Sequence, residues 1–178
     1  SDLTGSNYVS PIIDAGKTYN IYVFNIVNND ATGEDAANGG NALARYISQK
    51  VTLAEGQDAE DLKVYLTCYK PPGTSVKVYY KILNGEDSDT FNTAVWTEME
   101  LASRDVFSDS ENTEDFREFE WKIPDANLTG PNGEVQYSNS NGVTFTGFKY
   151  FAIKIVLLSA NSAVVPRAKE LRAIALQI

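Results

Sequence analysis

From Ala44 to Leu83 the chain alternates apolar and polar residues in three segments separated by only two short breaks. Leu62, Val64, Leu66 and Cys68 fall on one side of an extended chain, with Lys63, Tyr65, Thr67 and Tyr69 on the other. A period of two is the mark of a half-buried strand. After Lys70-Pro71-Pro72-Gly73-Thr74, the residues Val76, Val78, Tyr80 and Ile82 face one way and Ser75, Lys77, Tyr79 and Lys81 the other. Pro72-Gly73 suits a turn, because proline presets φ and glycine accepts a positive one. Matching the apolar faces in a direct hairpin puts Cys68 opposite Val76, Leu66 opposite Val78, Val64 opposite Tyr80 and Tyr65 opposite Tyr79, since a slip of one would expose them all. The alternative is a connection that crosses from one sheet to another.

The same pattern recurs along the chain. Tyr8 to Asp14 and Tyr19 to Val27 read as strands joined at Gly16, the second apolar on both faces and so a candidate central strand. Asn28 to Asn41, with its acids, asparagines and three glycines, reads as a long mobile loop. Arg45 to Leu53, Val95 to Leu101 and Phe119 to Ile123 resume strand character, the last with one wet face. Ser103 to Asp115 is acidic and irregular. Pro124 to Gly142 reads as a loop that has room for a small hairpin at Val135 to Tyr137. Phe145 to Leu158 is the strongest apolar run, and Lys154 within it suggests a face or end near solvent. Leu171 to Ile178 closes the chain, with Ile174, Leu176 and Ile178 on one face. Eight or nine strands without a convincing helix predict an all-β fold, an antiparallel β-sandwich with long acidic loops.

A length of 178 residues suits one domain spanning 1–178, with a core that needs no disulfide. The single cysteine, Cys68, lies on an apolar strand face and is expected as a buried free thiol. Twenty-four acidic against fifteen basic residues give a net charge of −9, which repels phosphate backbones and anionic lipid surfaces. Nucleic acid is therefore a poor partner. No apolar run approaches the ~20 residues that span a bilayer, so membrane insertion is not expected. Because the first residue is not methionine, a fragment of a longer protein is one expectation.

Ser10-Pro11-Ile12-Ile13-Asp14, Ala44-Arg45-Tyr46-Ile47, Leu62-Lys63-Val64-Tyr65-Leu66 with Lys70-Pro71-Pro72-Gly73-Thr74, and Val78-Tyr79-Tyr80-Lys81 together resemble a recurring phage domain. So does the ending, Phe151 to Leu157 followed by Val165 to Ile174. The resemblance is to discoidin-like, or galactose-binding-like, jelly rolls in virion structural proteins of contractile-tailed bacteriophages. It implies a jelly-roll sandwich in a tail, baseplate or fibre protein, located in the virion, with other virion proteins and self-association as the expected contacts. It does not imply catalysis, and a fold cannot name a partner.

The residues agree with a non-enzymatic reading. No histidine occurs, which removes Ser-His-Asp and Cys-His chemistry and the mixed His/carboxylate zinc sites. Glu118 and Glu120 share one strand face and are the one candidate carboxylate pair for a glycosidase, a spacing that solvated strands also show. Calcium is the cofactor to consider, because oxygen ligands crowd the loops at Asp30, Glu34 and Asp35, at Asp87 and Asp89, and at Asp109, Glu111 and Asp115, although none has EF-hand spacing. Asp87 and Asp89 are the metal candidates carried forward. A phenol joins a flat apolar face to a hydrogen-bonding tip, so Tyr65, Tyr69, Tyr79 and Tyr137 are the ligand or interface candidates, set against ordinary cross-strand packing. The expectation is thus a virion assembly domain. The alternative is a carbohydrate-binding module for a host surface glycan, with an accessory domain of a depolymerase as a third reading.

Overall fold

The computed structural model describes residues 8–13 and 20–178, with side chains from Asn25 onward. Its strands are β1 (Tyr8–Ile13), β2 (Asn20–Phe24), β3 (Ala44–Ile47), β4 (Val51–Thr52), β5 (Asp61–Tyr69), β6 (Thr74–Leu83), β7 (Thr97–Glu98), β8 (Glu100–Leu101), β9 (Arg117–Lys122), β10 (Gln136–Ser138), β11 (Thr144–Thr146), β12 (Tyr150–Ser159) and β13 (Arg167–Leu176). One 3-10 turn, Asp125–Asn127, interrupts them. Thirteen segments replace the expected eight or nine: Arg45 to Leu53 divides into β3 and β4, Val95 to Leu101 into β7 and β8, and Phe145 to Leu158 into β11 and β12, while β10 arises within the stretch read as a loop.

Two antiparallel sheets pack face to face. One has the order β3-β12-β6-β7, with β4 also on β12, and the other has the order β13-β5-β9-β8. Leu62, Val64, Leu66 and Cys68 from β5 meet Val78, Tyr80 and Ile82 from β6 and Ile153 and Ile155 from β12, with Phe119, Trp121 and Ile123 completing the same core. The all-β sandwich is therefore the fold. Met99, buried between β7 and β8, marks the point at which the chain steps from one sheet to the other, and its N–H donates to Val78 O at 2.8 Å.

The direct β5–β6 hairpin does not form. β5 pairs with β13 and β9, and β6 with β12 and β7, so Tyr65 and Tyr79 lie on different sheets and the Pro71–Gly73 connection crosses between them. Alternation specifies which side of a strand is apolar. Two apolar sides are hidden equally well side by side in one sheet or opposed across a core.

Three further expectations change. β2 pairs with β1 as a separate two-stranded sheet rather than as a central strand; its side chains, and the Gly16 turn, lie outside the described residues. In β13, Ile174 and Leu176 share one face as expected, but it is the face of Lys63 and Asp61 and leaves Ile174 exposed, whereas Ala173 and Ala175 pair with Val64 and Leu62. The strand carries a bulge between Lys169 and Arg172, where Glu170 and Leu171 together oppose Leu66 and Glu170 adopts φ 56°. Such an inserted residue re-aims everything after it. The hairpin predicted near Val135 to Tyr137 is present as β10–β11.

The third change concerns Asn28 to Asn41, which is a folded strap rather than a mobile loop. Asn28 binds Leu43 N–H and Asn41 O, and Asp30 accepts from Thr32 N–H and Asn41. The strap covers the outer face of β12 and β6, where Tyr79, Trp96, Ala152 and Val156 form a second apolar cluster with Ala42. Lys154 is consequently 1% exposed and not near solvent.

Candidate functional site

A cleft of about 270 Å³ lies at the rim of the sandwich, between the loop after β6 and the β10–β11 hairpin. Local sequence builds both walls. In Asn84 to Asp89 the side chains of Asn84 and Asp87 accept from the N–H groups of Glu86 and Asp89, each at 3.0 Å, so the acidic stretch closes on itself as two Asx turns. On the facing wall, Asn139 Oδ1 accepts from Asn141 and Val143 N–H and shapes the hairpin tip. The Tyr137 ring stacks on Phe145 across the hairpin, centroids 5.8 Å apart, and this aims its hydroxyl into the cleft.

Three sequence candidates meet here. Tyr137 donates its hydroxyl to Asp87 Oδ2 at 2.7 Å and accepts from Asn84 N–H at 2.8 Å. Asn139 donates to Asp87 Oδ1 at 2.9 Å, and Ser140 donates to Asp89 through its N–H and its hydroxyl. Burial pushes the Asp87 carboxyl up, but the hydrogen bonds from Asp89, Asn139 and Tyr137 outweigh it and hold the group below its ordinary value of 3.8. Burial, partly relieved by the Asn84 N–H and reinforced by the Asp87 charge, raises the Tyr137 phenol well above 10. The floor is apolar, made by Tyr80, Ile82 and Val95. A polar rim over an apolar floor suits a small polyhydroxylated ligand, whose hydroxyls meet carboxylates and amides and whose C–H faces meet the floor.

The other candidates are dispersed. Tyr65 is half-buried on the outer face of β5, with the Arg172 guanidinium 5.1 Å from its ring centre. Tyr69 is 6% exposed, covered by Arg167 and Phe116, and Tyr79 is 4% exposed beneath the strap. Neither presents a ring to solvent; the polar strand faces on which both were expected are covered by other parts of the chain. Trp96 and Trp121 are also buried.

Most of the candidate carboxylates bind protein partners. Glu118 and Glu120 face outward on β9 and bind Arg172 and Lys63 respectively, away from the cleft. Asp109 accepts from Glu111 N–H, and Asp115 binds Arg117. Glu34, one of the calcium candidates, is buried in an ion pair with Lys154. Among the described residues no three acidic or cysteine side chains converge as ion ligands, and no helix is long and apolar enough to cross a membrane. Cys68 is buried and free, and burial pushes its thiol up to about 12.

Sequence reasoning missed Asn84, Asn139 and Ser140, which complete the cleft, and the buried Glu34–Lys154 pair beneath the strap. The first three carry only generic turn signals. A signal for the last was present: a lysine inside the most apolar run has to find a buried partner.

These features define an antiparallel β-sandwich with a mixed polar and apolar cleft on its rim. No family model, no curated protein and no solved structure matches the chain.

Proposed function

We propose that this chain is a non-enzymatic assembly domain of a contractile-tailed phage particle, a jelly-roll module of the tail, baseplate or fibre that joins other virion proteins. The observation that supports it most is where the phage-like segments fall. Ala44–Ile47, Leu62–Leu66, Val78–Lys81, Phe151–Leu157 and Val165–Ile174 lie in β3, β5, β6, β12 and at the start of or within β13, the frame of the sandwich, and of these residues Tyr80 alone also lines the cleft. A sequence pattern concentrated in the frame belongs to a scaffold whose task is shape and contact. The histidine-free composition and the outward pairing of Glu118 and Glu120 support the same reading. Antibody against the chain, imaged by electron microscopy on intact particles of the source phage, is expected to decorate the tail or baseplate. Particles that carry none of the chain would refute the assignment.

A second reading has its own observation. The cleft around Tyr137, Asp87 and Asn139 has the composition of a glycan subsite, and a carbohydrate-binding role would use it. A glycan array should then show binding that is lost in Asn139→Ala; no reproducible binding by the unaltered chain removes this reading.

A further inference from the structure

An apolar groove of about 490 Å³ runs between the β3 edge of one sheet and the β13 edge of the other, floored by Leu66, Ile155 and Leu157. Among the described residues β3 pairs only with β12, so its lateral side turned away from β12 has no strand partner. Leu43, Tyr46 and Ile47 at this edge are 59%, 55% and 52% exposed.

The chain arrives at the end of this groove directly from β2. Asn28 Oδ1 accepts from Leu43 N–H at 3.0 Å and the Asn28 carbonyl accepts from Ser159 N–H at 3.0 Å, so Asn28 sits where β3 begins and β12 ends. Asn25, the residue after β2, donates to Ser162 O at 2.7 Å. Between Phe24 and Asn28 the chain spans roughly 14 Å even when fully extended, which tethers β2 beside the start of β3. β1 and β2 pair with each other in a sheet of two. Two strands alone are marginal in water and need an apolar surface to pack on. Ile21-Tyr22-Val23-Phe24 is apolar at consecutive positions, the pattern of a strand covered on both faces.

We propose that the β1–β2 hairpin of the same chain covers the groove, with β2 adding to the free side of β3 so that the first sheet runs β1-β2-β3-β12-β6-β7. Direction favours this occupant. β2 runs toward Asn28 and β3 runs away from Leu43, which Asn28 binds, so laid side by side the two are antiparallel, and strands consecutive in sequence are neighbours in most sheets. The five residues of β2 also match the four of β3 in length. Charge points the same way: Arg45 and Lys50 at the edge would meet their own like in a second copy, whereas residues 1–24 bring Asp2 and Asp14 against Lys17. On so short a tether β2 meets β3 at a millimolar effective concentration, which a separate chain in dilute solution does not reach. The covering is indifferent to whether the chain belongs to a phage particle.

With the photoreactive p-benzoyl-phenylalanine in place of Tyr46 in the full chain, irradiation should cross-link β3 to residues 18–25 of the same molecule, with equal yield over a hundredfold range of concentration. Mass spectrometry of the monomer band reads the linked residues. In the unaltered chain, hydrogen exchange should show the β3 amides that face away from β12 protected to the same degree across that range. Tyr22→Lys with Phe24→Lys sets charge over the apolar groove and should speed exchange of those amides at least tenfold while residues 62–66 of β5 keep their protection. In case that variant folds poorly, the cross-link in the otherwise unaltered chain decides. No cross-link to residues 18–25, a cross-link only between separate chains, protection that rises with concentration, or β3 exchange indifferent to the two lysines would each overturn the proposal.

Discussion

Glu34 and Lys154, 120 residues apart in sequence, form a buried ion pair in which Lys154 Nζ donates to Glu34 Oε2 at 2.9 Å. Lys154 also donates to the Glu34 backbone carbonyl, and its ammonium lies 4.9 and 5.0 Å from the ring centres of Tyr79 and Trp96. The other carboxylate oxygen accepts from Ala42 N–H at 2.9 Å. One acid thus fastens the middle of the strap and its C-terminal end to the middle of β12.

Removing one partner leaves a charge without a counterion in a dry site, at a cost of about 3–5 kcal/mol, whereas neutralising both is tolerated far better. Glu34→Gln keeps the acceptor for Ala42 and should still unfold at much lower denaturant concentration than the unaltered chain. Glu34→Gln with Lys154→Met should recover most of that loss. Additive losses in a double-mutant cycle would show that the two side chains are not coupled.

Lys81 lies beside this pair with weaker satisfaction, donating among the described residues to Ala37 O at 3.4 Å and lying over Trp96 at 4.8 Å. Burial, and then the Lys154 charge, lower its pKa below the ordinary 10.5. The charged form is thus disfavoured in the fold, so stability should rise as pH increases through the window between the folded value and 10.5. Lys81→Met should abolish that rise relative to the unaltered chain and raise the melting temperature near neutral pH.

Gly40 has φ +127°, and a Cβ there would sit 2.0 Å from Glu34 Oε1. Gly40→Ala combines backbone strain with expulsion of the carboxylate, a loss of about 1–3 kcal/mol for the backbone alone. The strap should loosen before the core does. In a Trp121→Phe background, which leaves Trp96 as the sole indole, acrylamide quenching of Trp96 should increase; unchanged quenching would mean that the strap does not depend on this contact.

Tyr137→Phe removes a hydroxyl that satisfies both Asn84 N–H and Asp87, leaving a part-buried donor unpaired at about 1–3 kcal/mol. The Asp87 carboxyl, held below 3.8, contributes stability that is present above that value and lost as pH falls through its folded pKa. Without the phenol its pKa should move up toward 3.8, so the acid loss begins at higher pH. Carboxyl titration followed by NMR in the two proteins checks the direction.

The legibility of this fold differs between residues for identifiable reasons. Val64, Leu66, Val78 and Phe119 were readable as core because burial on one side of a strand imposes a period of two on the sequence itself. That the face shared by Ile174 and Leu176 is the outward one was not legible, because it follows from how β13 registers against β5 beyond a bulge that leaves no hydrophobic trace. At the cleft, Tyr137, Asp87 and Asp89 were each recognisable as chemistry. That they share one cavity was not, since Tyr137 and Asp87 are 50 residues apart and meet only through the docking of a hairpin on a loop.

Amino-acid order by itself determined that the chain makes strands, which sides of most of them avoid water, and that histidine-based catalysis is absent, because these depend on residue type and local spacing alone. Only the tertiary structure decided that β5 and β6 part into opposite sheets, that Lys154 is buried, and that Tyr137 and Asp87 meet in one cleft. Each of those turns on which distant surface reaches a given side first, and local periodicity carries no information about that choice.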